Sequence, residues 1–205
     1  MVDRIRIYVE GGGRHSDKYA SSQIRAGFSA FIKNYFGNEG RRISIIACGS
    51  RESTIDDFQR ALQDHPESFN ILLVDSDNPV EVEPCVYLNS QDGRGLHSID
   101  GRQCHLMVQV MEAWLVADIE TLREFYGQGF KSNQIPRNRN VEQIDKKTLL
   151  AGLKEATRQT TKREYHKIHH GPKILSLLDV MKVRNASQHC DRLFTTLQDE
   201  LRTPI

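Results

Sequence analysis

Two aspartates follow a short, uninterrupted apolar run. Ile71 to Val74 contain no polar residue, and Asp75 and Asp77 come next, two positions apart. Such a run is typical of a strand buried on both faces of a parallel sheet, and residues two apart on a strand point to the same side. Two converging carboxylates attract a hard divalent cation such as Mg²⁺ or Mn²⁺. The pair therefore indicates a metal site, with an ordinary acidic turn at the end of a strand as the alternative.

A third acid occupies an equivalent place on an earlier strand. Residues 4–9 alternate charged and apolar side chains, which predicts a first strand, and Glu10 follows it. Gly11 to Gly13 come next, and glycines allow a tight turn or a close approach to a ligand. The carboxyl ends of parallel strands share one edge of a sheet, so Glu10 is expected beside Asp75 and Asp77.

The segments that must position these acids alternate between strands and helices. The expected elements are a helix over 16–36, a strand over 42–48, a helix capped by Ser53 or Thr54, the strand ending at Asp75, a strand over 105–110 and a helix over 112–118. Residues 78–103 show weak periodicity and are interpreted as a long surface excursion. The pattern predicts the α/β class, with a mostly parallel sheet of about four strands flanked by helices.

The last third of the chain changes character. Residues 127–140 are rich in Gly, Asn, Arg and Pro and indicate a linker, after which Asp145 can cap a helix through Thr157. Two closing helices are expected over 174–178 and 193–201. We therefore divide the chain into an α/β domain over 1–126 and a helical, basic extension packed on it over 127–205.

Composition restricts the classes of function. The formal net charge is +1, so affinity for nucleic acid must come from a local basic patch. Lys162 and Arg163 lie in such a patch, which either follows a phosphate backbone or is simply a solvated surface. The four cysteines form no Cys-x-x-Cys pair, so neither a disulfide framework nor a zinc ribbon is expected. With no signal peptide and no membrane-length apolar run, we expect a soluble cytoplasmic protein without a membrane partner.

These residues resemble a known module. Val9-Glu10-Gly11 after the first strand, with Leu73-Val-Asp-Ser-Asp77 after the third, is similar to the Toprim domain of topoisomerases, bacterial primases and overcoming-lysogenization-defect (OLD-type) nucleases. Ala47-Cys-Gly-Ser-Arg51 and Met111-Glu-Ala-Trp-Leu-Val-Ala-Asp118 resemble a narrower bacterial family, domain of unknown function 4276. The resemblance covers most of the chain, including Tyr165-His-Lys167, and it implies a Toprim, Rossmann-like fold.

The resemblance also implies chemistry. Glu10 would be a general acid/base or metal ligand, Asp75 and Asp77 would bind Mg²⁺ or Mn²⁺, and Lys167 would stabilise charge. Toprim nucleases use one or two such ions to activate water and stabilise the transition state of phosphodiester hydrolysis. The implied function is a nuclease acting on DNA or RNA, as an anti-phage effector with an AAA- or ABC-type ATPase partner. Because Toprim nucleases act in larger assemblies, a homo-oligomer is a further implied partner.

The chain departs from the Toprim pattern after the aspartate pair. Many Toprim sequences carry a third acid where this chain has Pro79. Glu112 directly follows a predicted strand and is our first candidate for the missing ligand, with Asp118 as the second. The alternative for Glu112 is an acid that favours the start of a helix.

Other residues at this edge are candidates for binding the substrate. Gly11, Gly12 and Arg14 can hold an anion at a helix N-terminus, for which a phosphodiester would serve. Arg51 follows the second strand and either clamps a phosphate or caps a loop.

Three rival functions remain open from the sequence. A non-catalytic module that binds nucleic acid or a partner is compatible with the missing third acid. A sugar-nucleotide transferase would use Asp75 and Asp77 as its metal-binding pair, which leaves Glu10 without a role. Gly11 and Gly13 form half of a dinucleotide-binding fingerprint, but Ser16 stands at the third glycine position.

Overall fold

A four-stranded parallel sheet forms the centre of the molecule. The computed structural model describes residues 5–12, 18–93, 95–96 and 99–202. The strands are β1 (Ile5–Glu10), β2 (Ile43–Gly49), β3 (Phe69–Asp75) and β4 (Cys104–Met107), in the spatial order β2-β1-β3-β4. The predicted α/β class is confirmed. Because β1 and β3 are neighbours in parallel register, Glu10 and Asp75 end adjacent strands.

Helices cover both faces of the sheet. They are α1 (Lys18–Phe36), α2 (Arg51–Asp64), α3 (Pro84–Asp92), α4 (Glu112–Val116), α5 (Ile119–Tyr126), α6 (Lys146–Thr157), α7 (Gly171–Leu175), α8 (Val180–Ala186) and α9 (Gln188–Arg202). Short 3₁₀ helices occur at Glu39–Arg42, Gly101–Gln103, Ser132–Gln134 and Val141–Gln143. Across the part of the chain that the structure describes, every helix is too short or too polar to cross a bilayer.

The two faces of the sheet bury separate hydrophobic clusters. On one face, Ile71 and Leu73 of β3 belong to a cluster that includes Phe28 of α1 and Phe194 of α9. On the other face, Leu72 and Val74 join the apolar residues of α2 and α3. These four side chains of β3, at positions 71–74, have no exposed surface, as the unbroken apolar run predicts. The C-terminal helices share the core of the sheet, while the proposed division at residue 126 stays a prediction.

The segment between β3 and β4 is more ordered than its sequence indicates. It contains α3, in which Pro84 occupies the first helical turn and Gly93 adopts the left-handed conformation that ends the helix. A disulfide joins Cys85 of α3 to Cys104 of β4. The interpretation of residues 78–103 as a surface excursion therefore misses α3, and the reasoning from the cysteine spacing did not foresee this disulfide. The two cysteines are separated by 19 positions in sequence, and they meet because α3 packs beside β4.

Several boundaries differ from the predicted ones. Helix α2 begins at Arg51, because Ser50 rather than Ser53 or Thr54 supplies the cap. Strand β4 ends at Met107, before the predicted limit at residue 110. The predicted helix over 112–118 ends at Val116, and Asp118 caps the start of a further helix, α5. The cap of α6 by Asp145 is confirmed.

Candidate functional site

Glu10 and Asp75 lie side by side at the carboxyl edge of the sheet. The backbone N–H of Asp75 donates to Oε2 of Glu10 at 3.2 Å. The Oδ1 atom of Asp75 accepts a hydrogen bond of 2.8 Å from the backbone N–H of Met111, in the turn between β4 and α4. Asp75 is 5% exposed. The backbone N–H of Met111 thus holds the carboxylate of Asp75 in place, and the backbone N–H of Asp75 holds the carboxylate of Glu10 at the end of β3.

Lys167 brings a third carboxylate into this group. Its Nζ atom lies 3.2 Å from Oδ2 of Asp75 and 3.7 Å from Oε2 of Glu112. The Oε1 atom of Glu112 accepts a 3.0 Å hydrogen bond from the hydroxyl of Tyr165. Glu112 is 1% exposed, and its Oε2 atom has no hydrogen-bond partner among the described residues. One lysine therefore balances the charge of two buried acids.

Burial and mutual repulsion shift the titration of this group. Desolvation and the neighbouring Asp75 raise the pKa of Glu10 to about 7. Burial also raises the pKa of Asp75, against the opposing effect of Lys167. Burial alone would lower the pKa of Lys167, but the charges of Asp75 and Glu112 raise it above its ordinary value. Near neutral pH the lysine is thus charged, while Glu10 is poised between its two protonation states.

Asp77 faces a different pair of cations. The chain leaves the sheet after Asp75, and Asp77 adopts a positive φ of 64°. Arg51 donates from Nη2 to the backbone oxygen of Asp75 and to Oδ2 of Asp77, and its Nε lies 3.7 Å from Oε2 of Glu10. Lys146 donates from Nζ to Oδ1 of Asp77.

These contacts decide the charge of Asp77. Partial burial alone would raise the pKa of Asp77, but its hydrogen bonds with Lys146 and Arg51 hold that pKa below its ordinary value. The two aspartates thus have separate partners, unlike the single convergence point that strand alternation predicts. Arg51 connects them.

Gln109 fixes the position of Asp77 and of the start of α6. Its backbone oxygen accepts the N–H of Asp77 at 2.8 Å. Its side-chain Oε1 accepts the N–H of Lys146 at 3.1 Å, and its Nε2 donates to the backbone oxygen of Glu142 at 3.3 Å. Gln109 is 5% exposed, so water competes little for these bonds. The side chain acts as a buried spacer between the sheet edge and the C-terminal helices.

The predicted glycine turn forms one wall of a cleft beside the acids. Gly11 and Gly49 exchange two backbone hydrogen bonds of 2.8 and 3.0 Å. Gly12 has a φ of 97°, and a Cβ atom there would lie 2.9 Å from the Cα of Ser21. The cleft has a volume of about 1250 Å³. Its lining includes Glu10, Glu112, Lys146, Lys147, Lys154 and Lys167.

Other predicted site residues lie elsewhere. Lys162 is exposed, with its Nζ 5.2 Å from the centre of the Phe125 ring, and Arg163 is exposed at a positive φ of 66°. The lining of the cleft, as drawn by the described residues, includes neither of them. Asp118 is occupied as a helix cap and pairs with Lys182. Arg14 lies outside the described residues.

The carboxylates at this edge share their space with cations of the protein itself. Within the described ranges, no group of three or more His, Cys, Asp or Glu side chains is arranged to hold a metal ion. The reason is visible in the contacts, since Arg51 and Lys167 lie between the carboxylates. The hydrogen-bond-free Oε2 of Glu112 and the oxygens of Glu10 and Asp75 are hard ligands of the kind that Mg²⁺ and Mn²⁺ prefer. Glu10, Asp75 and Glu112 are thus the side chains that would hold such an ion.

Sequence reasoning missed Lys146 and Gln109. Lys146 is the first residue of a predicted helix, and its sequence context resembles that of any exposed lysine. Gln109 lies in a segment that was expected to be strand, where nothing distinguishes a buried bridging amide. Tyr165 was noted within the resemblance, yet its bond to Glu112 depends on the folding of the C-terminal third.

No curated protein and no solved structure matches this chain. A family model described as Domain of unknown function (DUF4276) matches residues 23–198, so Asp75, Glu112, Lys146 and Lys167 lie inside the match while Glu10 precedes it. Because this match spans most of the 205 residues, the chain belongs to the family of the domain of unknown function DUF4276.

Proposed function

We propose that the chain is a divalent-metal-dependent nuclease that hydrolyses phosphodiester bonds in DNA or RNA. The observation that carries this proposal is the meeting of Glu10, Asp75 and Glu112 around Lys167, beside a cleft lined by further lysines. Buried acids supply ligands for a hard cation, and the lysines suit a polyanionic substrate. A bound Mg²⁺ or Mn²⁺ would supply Lewis-acid stabilisation of the phosphoryl oxygens.

The protein's own residues have distinct tasks in this proposal. Glu10 can accept a proton from an attacking water, since its carboxylate lies beside Asp75 and lines the cleft. Arg51 and Lys146 would exchange Asp77 for the substrate phosphate, since a phosphate oxygen is an equally good acceptor for their N–H groups. Lys167 remains charged and would stabilise negative charge that develops on the reacting group.

A cleavage assay tests the proposal. Purified protein is incubated with plasmid, single-stranded DNA and RNA, each with Mg²⁺, Mn²⁺ or EDTA. Asp75→Asn and Glu112→Gln retain the shape of the site and should abolish metal-dependent cleavage. Asp64→Asn, an exposed acid at the end of α2, is the matched control and should cleave like the unmodified protein. Cleavage that persists equally in all variants would belong to a contaminant. Absence of cleavage with every substrate and metal, both by the chain alone and with an ATPase partner and ATP, contradicts the proposal.

A non-catalytic module that binds nucleic acid is the second candidate. The observation that favours it is that Arg51, Lys146 and Lys167 already neutralise the acids without any metal. Salt-sensitive binding of nucleic acid without cleavage would support this candidate. Isothermal titration with Mn²⁺ separates the two, because the nuclease requires metal binding that Asp75→Asn weakens.

The wider context of the nuclease rests on the sequence resemblance. A relationship to Toprim domains, action in the cytoplasm and an ATPase partner in anti-phage defence are parts of this proposal. Where a neighbouring gene encodes an ATPase, reconstitution with it tests the last of them, and cleavage that requires both proteins and ATP would support it.

A further inference from the structure

One wall of the cleft alternates charged and apolar groups along α6. Lys147, Leu150, Ala151 and Lys154 all line the cleft, at the i, i+3, i+4 and i+7 spacing of a single helix face. At 1.5 Å per residue, the two lysines begin about 10 Å apart along the helix. Between them, Leu150 is half-buried and Ala151 is exposed. This face therefore presents two cations separated by an accessible apolar patch.

The remaining lining adds apolar surface near the acids. Ile24, Val110 and Ile168 also line the cleft, together with the exposed ring of His166. The volume of about 1250 Å³ exceeds that of pockets for drug-sized ligands, which hold roughly 300–1,000 Å³. Phosphates alone would leave the apolar side chains of the lining without a partner. The cleft therefore matches a flat, aromatic group that carries a phosphate on either side.

The depth of the acids restricts the form of the substrate. Glu112 lines the cleft and is 1% exposed, so a reacting phosphodiester must enter the cleft to approach it. In a duplex the bases are stacked and paired, and removing one from the stack has a free-energy cost. A single strand turns its bases outward without that cost, and stacking on a protein surface binds them without regard to sequence.

We infer that the cleft binds a single-stranded segment of nucleic acid, with an unpaired base against Leu150 and Ala151 and its flanking phosphates on Lys147 and Lys154. This inference rests on the proposed function, because it takes the acids as the reactive centre. It adds a substrate form that the nuclease proposal leaves open. The pattern of contacts is sequence-tolerant, since it uses the aromatic face of the base rather than its edges.

Fluorescence anisotropy in EDTA tests the inference without any cleavage. The probes are a labelled 12-nucleotide single-stranded DNA, the same strand annealed to its complement, and the same strand with its central bases removed. We expect about tenfold tighter binding of the single strand than of the duplex. We also expect about tenfold weaker binding of the abasic strand, since removing the base removes its apolar contact with Leu150 and Ala151.

Two variants identify the surface. Ala151→Glu should weaken single-strand binding at least tenfold, while Ala26→Glu, an exposed alanine on α1 outside the cleft lining, should leave it unchanged.

The double variant Lys147→Gln/Lys154→Gln should lower the slope of log affinity against log salt by about 1.4, because each phosphate contact on a single strand contributes about 0.7. Arg158→Gln, an exposed cation just beyond α6, should leave that slope unchanged.

The outcomes separate this inference from the nuclease proposal. Equal or tighter binding of the duplex, or equal binding of the abasic strand by the unmodified protein, would overturn the inference whatever the variants do. Cleavage of duplex DNA without a single-strand preference would leave the nuclease proposal intact and remove only the inference. A single-strand preference that depends on Ala151, without cleavage under any condition, would support the inference and remove the nuclease.

Discussion

Lys167 lies with its Nζ atom 3.2 Å from Oδ2 of Asp75, although 92 residues separate the two in sequence. The aspartate is buried at the end of a central strand, whereas the lysine side chain keeps about half of its surface exposed. Glu112 approaches the same ammonium group at 3.7 Å. The C-terminal third thus supplies the cation that makes two buried acids of the sheet tolerable.

Removal of this cation should destabilise the protein in a pH-dependent manner. Breaking a buried ion pair costs about 3–5 kcal/mol, and the exposure of Lys167 reduces the expected loss for Lys167→Met to about 2 kcal/mol at pH 8. Burial already raises the pKa of Asp75, so at pH 5 the orphaned carboxyl group can take up a proton and regain part of the loss. Urea unfolding of both proteins at pH 8 and pH 5 measures the difference.

A double-mutant cycle provides the control for the Lys167 prediction. Asp75→Asn removes the charge that Lys167 balances, so Lys167→Met should cost less in that background than in the unmodified protein. Additive losses that are equal at both pH values would contradict the ion-pair explanation.

Lys146 should matter more for substrate than for stability. Its ion pair with Asp77 is partly exposed, and such pairs contribute about 0.2–1 kcal/mol. Under the proposed function, Lys146→Gln removes a phosphate contact at the entrance to the acids, so we expect at least a tenfold loss of cleavage rate or nucleic-acid affinity. Lys33→Gln, an exposed lysine in the last turn of α1, serves as the matched control. A stability loss above 2 kcal/mol with unchanged binding would point to a structural role instead.

The part of the site that could be predicted depends on local signals. Ile71 to Val74 form an apolar run whose burial and direction follow from sequence, and this run locates Asp75. Asp145 is a helix cap, and the helix that follows it was predicted at its observed limits. Both predictions use interactions between residues that are close in the chain.

The rest of the site depends on contacts between distant segments. Gln109 bridges Lys146 and Glu142 only because α6 docks against the turn after β4. The disulfide between Cys85 and Cys104 similarly requires that α3 form and pack beside the sheet. Spacing in the sequence does not indicate which distant segments pack together, so the roles of these residues follow only from the three-dimensional structure.

The packing of α1 on α7 leaves no room at Gly27. A Cβ atom there would lie 2.6 Å from the backbone oxygen of Pro172. Gly27→Ala should therefore destabilise the protein by about 1–3 kcal/mol, the range for overpacked sites, despite the better helix propensity of alanine. Ser29→Ala on the exposed face of the same helix should be neutral or slightly stabilising. Thermal unfolding compares the two variants, and a stabilised Gly27→Ala protein would show that the helices are farther apart.

The Cys85–Cys104 disulfide, which joins α3 to β4, should stabilise the oxidised protein. In the chain-entropy description, a bond closing a loop of this length contributes about 3 kcal/mol. Cys85→Ser should lower the free energy of unfolding by about that amount without reductant. With dithiothreitol present, the unmodified protein and the variant should converge. Free-thiol titration in denaturant is the direct check, because four thiols in protein purified without reductant would contradict the disulfide.

Because of Glu10, the free energy of unfolding should decrease as the pH rises through the acidic range. Its pKa is near 7 in the folded protein and near its ordinary value of 4.5 when unfolded. Between these values the folded state holds more protons than the unfolded state, so raising the pH favours unfolding.

Glu10→Gln does not titrate, and its amide oxygen can still accept the N–H of Asp75. Relative to this variant, the unmodified protein should lose about 1–2 kcal/mol between pH 4.5 and 7, less than the full ~1.4 kcal/mol per pKa unit because Glu10 is partly exposed. Denaturant unfolding at half-unit pH intervals gives this difference. A difference that stays constant over the window would show that folding leaves the pKa of Glu10 at its ordinary value, and a difference of the opposite sign would show that folding lowers it.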